Sequence, residues 1–189
     1  MSVKHKIDEM HGTFFITFTC FQWHHLFALT DSYDLIYKWF DYLIQKKHQI
    51  AGYVIMPNHV HVLIALYEST ETINKIVGNG KRFIAYELIK RLKHNGHDEM
   101  LKILKAGVSM AEQKKGQLHK VFEESFDVKI CKTHSFIKQK LDYIHRNPCS
   151  KKWKLVENPI DYNHSSMKFY DTYGNGIKSK LTPYTMLLE

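Results

Sequence analysis

The chain has 189 residues, 44% of them apolar, which is enough for one domain with a real core. Its 27 Lys and Arg against 19 Asp and Glu leave a formal charge of +8, an excess that points to an anionic partner, nucleic acid before a membrane surface. Three scattered cysteines with no Cys-x-x-Cys pair exclude a zinc knuckle or a redox dithiol, and no apolar run approaches the roughly 18 residues of a membrane span.

In chain order, residues 1–11 are polar and basic and read as a flexible arm. Phe14, Ile16 and Phe18 alternate with Phe15, Thr17 and Thr19, the period of a strand. A loop over 22–30 carries Trp23, His24 and His25. Asp31 or Ser32 then caps a helix in which Leu35, Ile36, Trp39, Phe40, Leu43 and Ile44 recur at helical spacing through about His48. Ile50–Met56 and His59–Leu66 read as two strands joined by Pro57-Asn58, although Pro-Asn is not a favoured hairpin dipeptide.

Ser69 or Thr70 is the expected cap of the next helix, with Ile73, Ile76, Val77, Phe83, Ile84, Leu88 and Leu92 inward. Gly78-Asn79-Gly80 is expected to kink or split it. Residues 94–120 read as a polar insertion, weakly helical near 98–105. Phe126, Val128 and Ile130 alternate in a fourth strand within 121–130. A last helix runs from about Thr133 to Asn147 and stops at Pro148, and residues 149–189 form an irregular tail.

Strand, helix, strand, strand, helix, strand and a further helix is the ferredoxin-like order. The expected fold is α+β: a four-stranded antiparallel sheet, two helices on one face, and the last helix near the opposite face. One domain is expected over residues 1–189. The first and third strands should lie centrally.

The third strand carries the first chemical signal. His59 and His61, two residues apart, project to one face while Val60 and Val62 go to the other. Two neutral imidazoles side by side are half of a divalent-metal site, or simply two polar strand residues. On the last helix, Ile137, Leu141 and Ile144 form the core stripe, and Phe136, Lys140, Tyr143 and Asn147 a neighbouring one. If that helix lies on the open sheet face, a phenol and an amide oxygen reach the imidazoles together. Two imidazoles and an amide oxygen leave positions for phosphate oxygens around Mg²⁺ or Mn²⁺, and the phenol is an oxygen nucleophile. Taken alone, Tyr143 is more often a core tyrosine and Asn147 more often a helix C-cap.

Met56-Pro57-Asn58-His59-Val60-His61-Val62-Leu63-Ile64 together with Asp142-Tyr143-Ile144-His145-Arg146-Asn147-Pro148 resembles the REP-associated tyrosine transposases, members of the His-hydrophobe-His single-strand transposases. Pro159-Ile160-Asp161-Tyr162-Asn163-His164-Ser165-Ser166 is similar to their C-terminal signature. The resemblance implies a metal held by His59, His61 and Asn147, and Tyr143 as the nucleophile that forms a 5′-phosphotyrosyl intermediate. It also implies single-stranded DNA at a foldback hairpin as the substrate, with the chain acting alone or as a homodimer. Lys81, Arg82, Lys140, Arg146, Lys151 and Lys152 are the basic residues singled out for DNA contact. A non-cleaving DNA-binding regulator and a replication- or relaxase-type nickase are the alternatives. Reduced thiols and a cytoplasmic setting complete the expectation.

Overall fold

The computed structural model of the chain describes residues 9–171 and 180–188. The expected N-terminal arm falls mostly on residues 1–8, outside the described residues. The alternating first strand is β1 (Gly12–Thr19), followed by a 3-10 turn at Phe21–Trp23 and a single helical turn, α1 (Leu26–Leu29). Next come α2 (Tyr33–Gln45), β2 (Gln49–Met56), β3 (His59–Leu66) and α3 (Ile73–His94). Two short helices, α4 (Asp98–Ala106) and α5 (Met110–Lys114), precede β4 (Asp127–Ile130), α6 (His134–Arg146) and α7 (Met167–Asp171).

The sheet order is β2-β3-β1-β4 and every pairing is antiparallel, so β1 and β3 lie in the middle. This is the ferredoxin-like arrangement expected from the element order. Residue alternation sends Phe14, Ile16, Phe18, Val60, Val62 and Ile64 to one face, where they pack with α2 and α3. The opposite face carries Phe15, Val54, Met56, Leu63 and Ala65, and α6 lies on it through Ile137, Leu141 and Ile144. Those three side chains are at most 4% exposed; burial of each stabilises by about 1.5–3 kcal/mol.

Two glycines set how closely the layers approach. A Cβ on Gly52 would stand 2.4 Å from Leu141 Cδ1, so its bare backbone lets α6 settle onto β2, at the irregular pairing between Ile50 and Gly52. A Cβ on Gly80 would stand 2.4 Å from Trp39 Nε1, so Gly80 admits the indole of α2. This corrects the expected interruption at Gly78-Asn79-Gly80: α3 is one helix of 22 residues, because tight packing against Trp39 offsets the weak helix propensity of glycine. Its cap is Thr72, not Ser69 or Thr70.

The expected strand over 121–130 is also shorter. Only Asp127–Ile130 pairs continuously, and Phe122 makes an isolated bridge to Cys20. Residues 94–120 are largely helical, and α5 opens on a capping box between Ser109 and Glu112. The tail is tied down where it is described. Ile55 N–H donates to His164 O and Ser166 N–H to Tyr53 O, so residues 163–166 line the outer edge of β2. That covers one of the sheet's two open edges.

Candidate active site

The two-residue turn between β2 and β3 determines where the paired histidines stand. Pro57 and Asn58 both have negative φ, which is not the primed geometry that suits a two-residue hairpin. Outside bonds hold the turn instead. Pro57 O accepts from Phe27 N and Ala28 N of α1, and Asn58 O accepts from Cys20 N. The loop after β1, which looked unstructured from sequence, is the brace of this turn.

His59 and His61 follow at once, 3% and 5% exposed, with ring centroids 4.7 Å apart. Hydrogen bonds fix their tautomers. The Asn58 amide nitrogen donates to Trp23 O at 2.6 Å, so its Oδ1 is the atom 2.7 Å from His59 Nδ1. An acceptor there requires His59 Nδ1 to carry the proton. His61 Nδ1 lies 2.6 Å from Thr17 Oγ1 on β1, and its Nε2 is 3.2 Å from the Asn147 amide nitrogen, a donor. The proton of His61 is therefore also on Nδ1. Both rings are oriented through Nδ1 with Nε2 as the lone-pair atom, the arrangement metal-ligating histidines adopt.

Burial drives both imidazoles toward the neutral form. It pushes His59 down to about 4, with the Lys152 ammonium adding to the effect. Burial first, then neighbouring His59, holds His61 well below its ordinary value. Neutral imidazole is the form that ligates a metal.

Asn147 ends α6 and is 7% exposed. Its amide nitrogen hydrogen-bonds His61 Nε2, while its Oδ1 is buried without a partner. An orphaned buried acceptor beside two imidazole lone pairs is a donor set suited to a cation. Among the described residues no cluster of three or more His, Cys, Asp or Glu exists, so the set is two nitrogens and one neutral oxygen. Such a set fits Mg²⁺ or Mn²⁺ when phosphate and water oxygens complete the shell.

One turn earlier on α6, Tyr143 is 49% exposed, and its ring lies edge-on to His61 at 5.1 Å. Phe15 stacks on His61 at 5.6 Å and meets Tyr143 edge-on at 6.0 Å, packing the phenol against the pair. The four residues singled out from sequence, His59, His61, Tyr143 and Asn147, thus come together within one chain.

The basic residues divide. Lys140 stands over Phe15 and Phe136 at the edge of this site, and Lys152 lies 3.9 Å over the Trp23 ring. Arg146 and Lys151 are exposed nearby in sequence, at the end of α6 and just beyond. Lys81 and Arg82 belong to α3, on the far side of the sheet. Lys81 Nζ donates to Glu123 O at 2.7 Å, a tie within the fold rather than a free cation. His145, left outside the ligand set, is buried and bonded to Ser166 Oγ at 2.9 Å. Sequence reasoning missed Asn58, Thr17 and Trp23. Asn58 stood in the motif but was read only as a turn residue.

Sheet order and the helix laid over the second face define an antiparallel α+β fold of the ferredoxin-like kind. Among solved structures, a REP-associated tyrosine transposase bound to a REP hairpin matches with a TM-score of 0.58 at 16% identity, covering 100% of this chain and 98% of the other. At that identity the likeness is one of fold. A protein from Deinococcus radiodurans, described as a transposase, covers 98% of its own length and 76% of this chain, with a TM-score of 0.43 and 17% identity. No family model matches the sequence, and no curated protein matches it.

Proposed function

We propose that this chain is a single-strand DNA transposase of the His-hydrophobe-His type, cutting and rejoining DNA at foldback hairpins through a tyrosine. The observation that carries the reading is the unpartnered Oδ1 of Asn147 beside two neutral imidazoles, with a half-exposed phenol 5.1 Å from one of them. His59, His61 and Asn147 would hold Mg²⁺ or Mn²⁺. When bound, the metal polarises a phosphodiester and offsets the charge that develops on it.

The chain's own groups do the rest. Tyr143 supplies the attacking oxygen, and its exposure gives water access to take the phenolic proton. The phenolic oxygen bonds to phosphorus as the 3′-oxygen leaves and is protonated. A 5′-phosphotyrosyl bond results, and a 3′-hydroxyl can reverse the step without ATP. Phe15 limits the swing of the phenol, and Asn58 and Thr17 hold the imidazoles in register. The net charge of +8 favours the DNA backbone, with Lys140 and Lys152 against rings of the site and Arg146 and Lys151 exposed beside its residues in sequence. No helix among the described residues is long and apolar enough to cross a membrane.

The test is an incubation with Mn²⁺ and a labelled pool of single-stranded hairpin DNA with randomised flanks. A covalent adduct that survives denaturing electrophoresis and is lost in Tyr143→Phe is the expected result. Cleavage without an adduct, or an adduct retained by Tyr143→Phe, contradicts it.

A further inference from the structure

The rings around the site form a row. Trp23 meets His59 edge-on at 5.7 Å, His59 meets His61 at 4.7 Å, and His61 meets Tyr143 at 5.1 Å. The nucleophile stands at one end of the metal-ligand pair and an indole at the other. Trp23 is 49% exposed, although it is large and apolar. Core packing does not explain it, since Trp39 fills that role on the other face.

The backbone holds this exposed residue in a costly conformation. Gln22 and Trp23 both have positive φ, +48° and +61°, rare for residues with bulky side chains. Four bonds fix the pair: Gln22 N to Glu123 Oε1, Trp23 N to Cys20 O, His24 N to Phe21 O, and the Asn58 amide nitrogen to Trp23 O. The Asn58 side chain that orients His59 therefore also holds the Trp23 backbone. Strain maintained by many bonds recurs at ligand sites. A cation completes the arrangement, for Lys152 Nζ lies 3.9 Å over the Trp23 ring.

Resting on the reading of this chain as a single-strand DNA enzyme, we propose that Trp23 and Lys152 form a nucleotide subsite beside the metal ligands. The indole stacks an unpaired base flanking the cut phosphate, and the ammonium meets that nucleotide's phosphate. An exposed ring next to a cation is the combination that binds single-stranded DNA without reading its sequence. Double-stranded DNA does not offer a free base face there, so the subsite selects unpaired substrate. Tyr143 at the other end of the row leaves the scissile phosphate between the base platform and the nucleophile.

The test compares two fluorescein-labelled 12-mers, oligo-dT and a fully abasic strand, by anisotropy at one fixed salt concentration. The wild-type protein is expected to prefer oligo-dT. Trp23→Ala is expected to lose about tenfold of that preference, about 1.4 kcal/mol, while binding the abasic strand within about twofold of wild type. Trp23→Phe should keep most of the preference. Trp23→Leu, similar in bulk without a π face, replaces the alanine variant if that one fails to fold. A Trp23→Ala or Trp23→Leu protein that retains the full preference overturns the subsite. So does a wild-type protein that binds both strands equally, and that result leaves the transposase reading intact. A wild-type protein that binds neither strand overturns both.

Discussion

Asn58 links two features by its two ends. Its amide nitrogen fixes the Trp23 carbonyl and its oxygen fixes His59, at 1% exposure. Asn58→Ala should cost about 1–3 kcal/mol for each buried group it leaves unpaired, read by denaturant unfolding. It should also weaken Mn²⁺ binding about 10- to 100-fold, the usual scale for groups that orient metal ligands. Unchanged metal affinity would remove Asn58 from the site. The paired histidines were legible in the sequence because a strand repeats every two residues, so His59 and His61 had to share a face. Their orienting partners were not. Thr17 lies 44 positions from His61 and meets it only through the register of β1 on β3. Trp23 was passed over because a loop tryptophan gives no periodic signal.

At the scale of elements, spacing contacts decide more than propensity does. Gly80 and Gly78 are both in α3, yet their substitution should act in opposite directions. Gly80→Ala drives a methyl into Trp39 and should destabilise by about 1–3 kcal/mol, the usual cost of overpacking. Gly78→Ala meets nothing within 4 Å and should stabilise by about 0.5–1 kcal/mol through helix propensity. Thermal or denaturant unfolding of the pair checks the contrast, and equal signs would refute the packing account. The same packing explains why the sequence reading split this helix: two glycines are visible in the chain, but the indole that Gly80 faces is not.

Lys81 gives α3 a pH signature. Burial pushes its ammonium down to about 8 from an unfolded value near 10.5, partly offset by Glu123 and Glu124. Below pH 8 both states are protonated and the cost of the buried charge is felt in full. Between about 8 and 10.5 the folded state loses its proton first and the unfolded state binds more. Wild-type stability should therefore rise with pH across that window relative to Lys81→Met, by at most about 1.4 kcal/mol per pH unit. Parallel stability–pH curves for the two proteins would contradict this.

Across the whole molecule, the order of elements was enough to give the sheet topology, because short connections leave few arrangements for two strand-helix-strand halves. The central position of β3 followed from it. The last helix was expected near the second sheet face, and α6 does cover it; what the order could not give was the tail, whose residues 163–166 line the neighbouring edge of β2. This cover buries His59 and His61 and makes them neutral. Gly52, a bare backbone under Leu141, permits it, and one turn of α6 then places Tyr143 and Asn147 together over β3. The whole account rests on that convergence. Titration calorimetry of Mn²⁺ into the wild-type chain and four variants tests it most directly. One ion should bind per chain, binding should be lost or weakened at least tenfold in His59→Ala, His61→Ala and Asn147→Ala, and it should persist in Tyr143→Phe. Wild-type affinity in the two histidine variants would contradict the account.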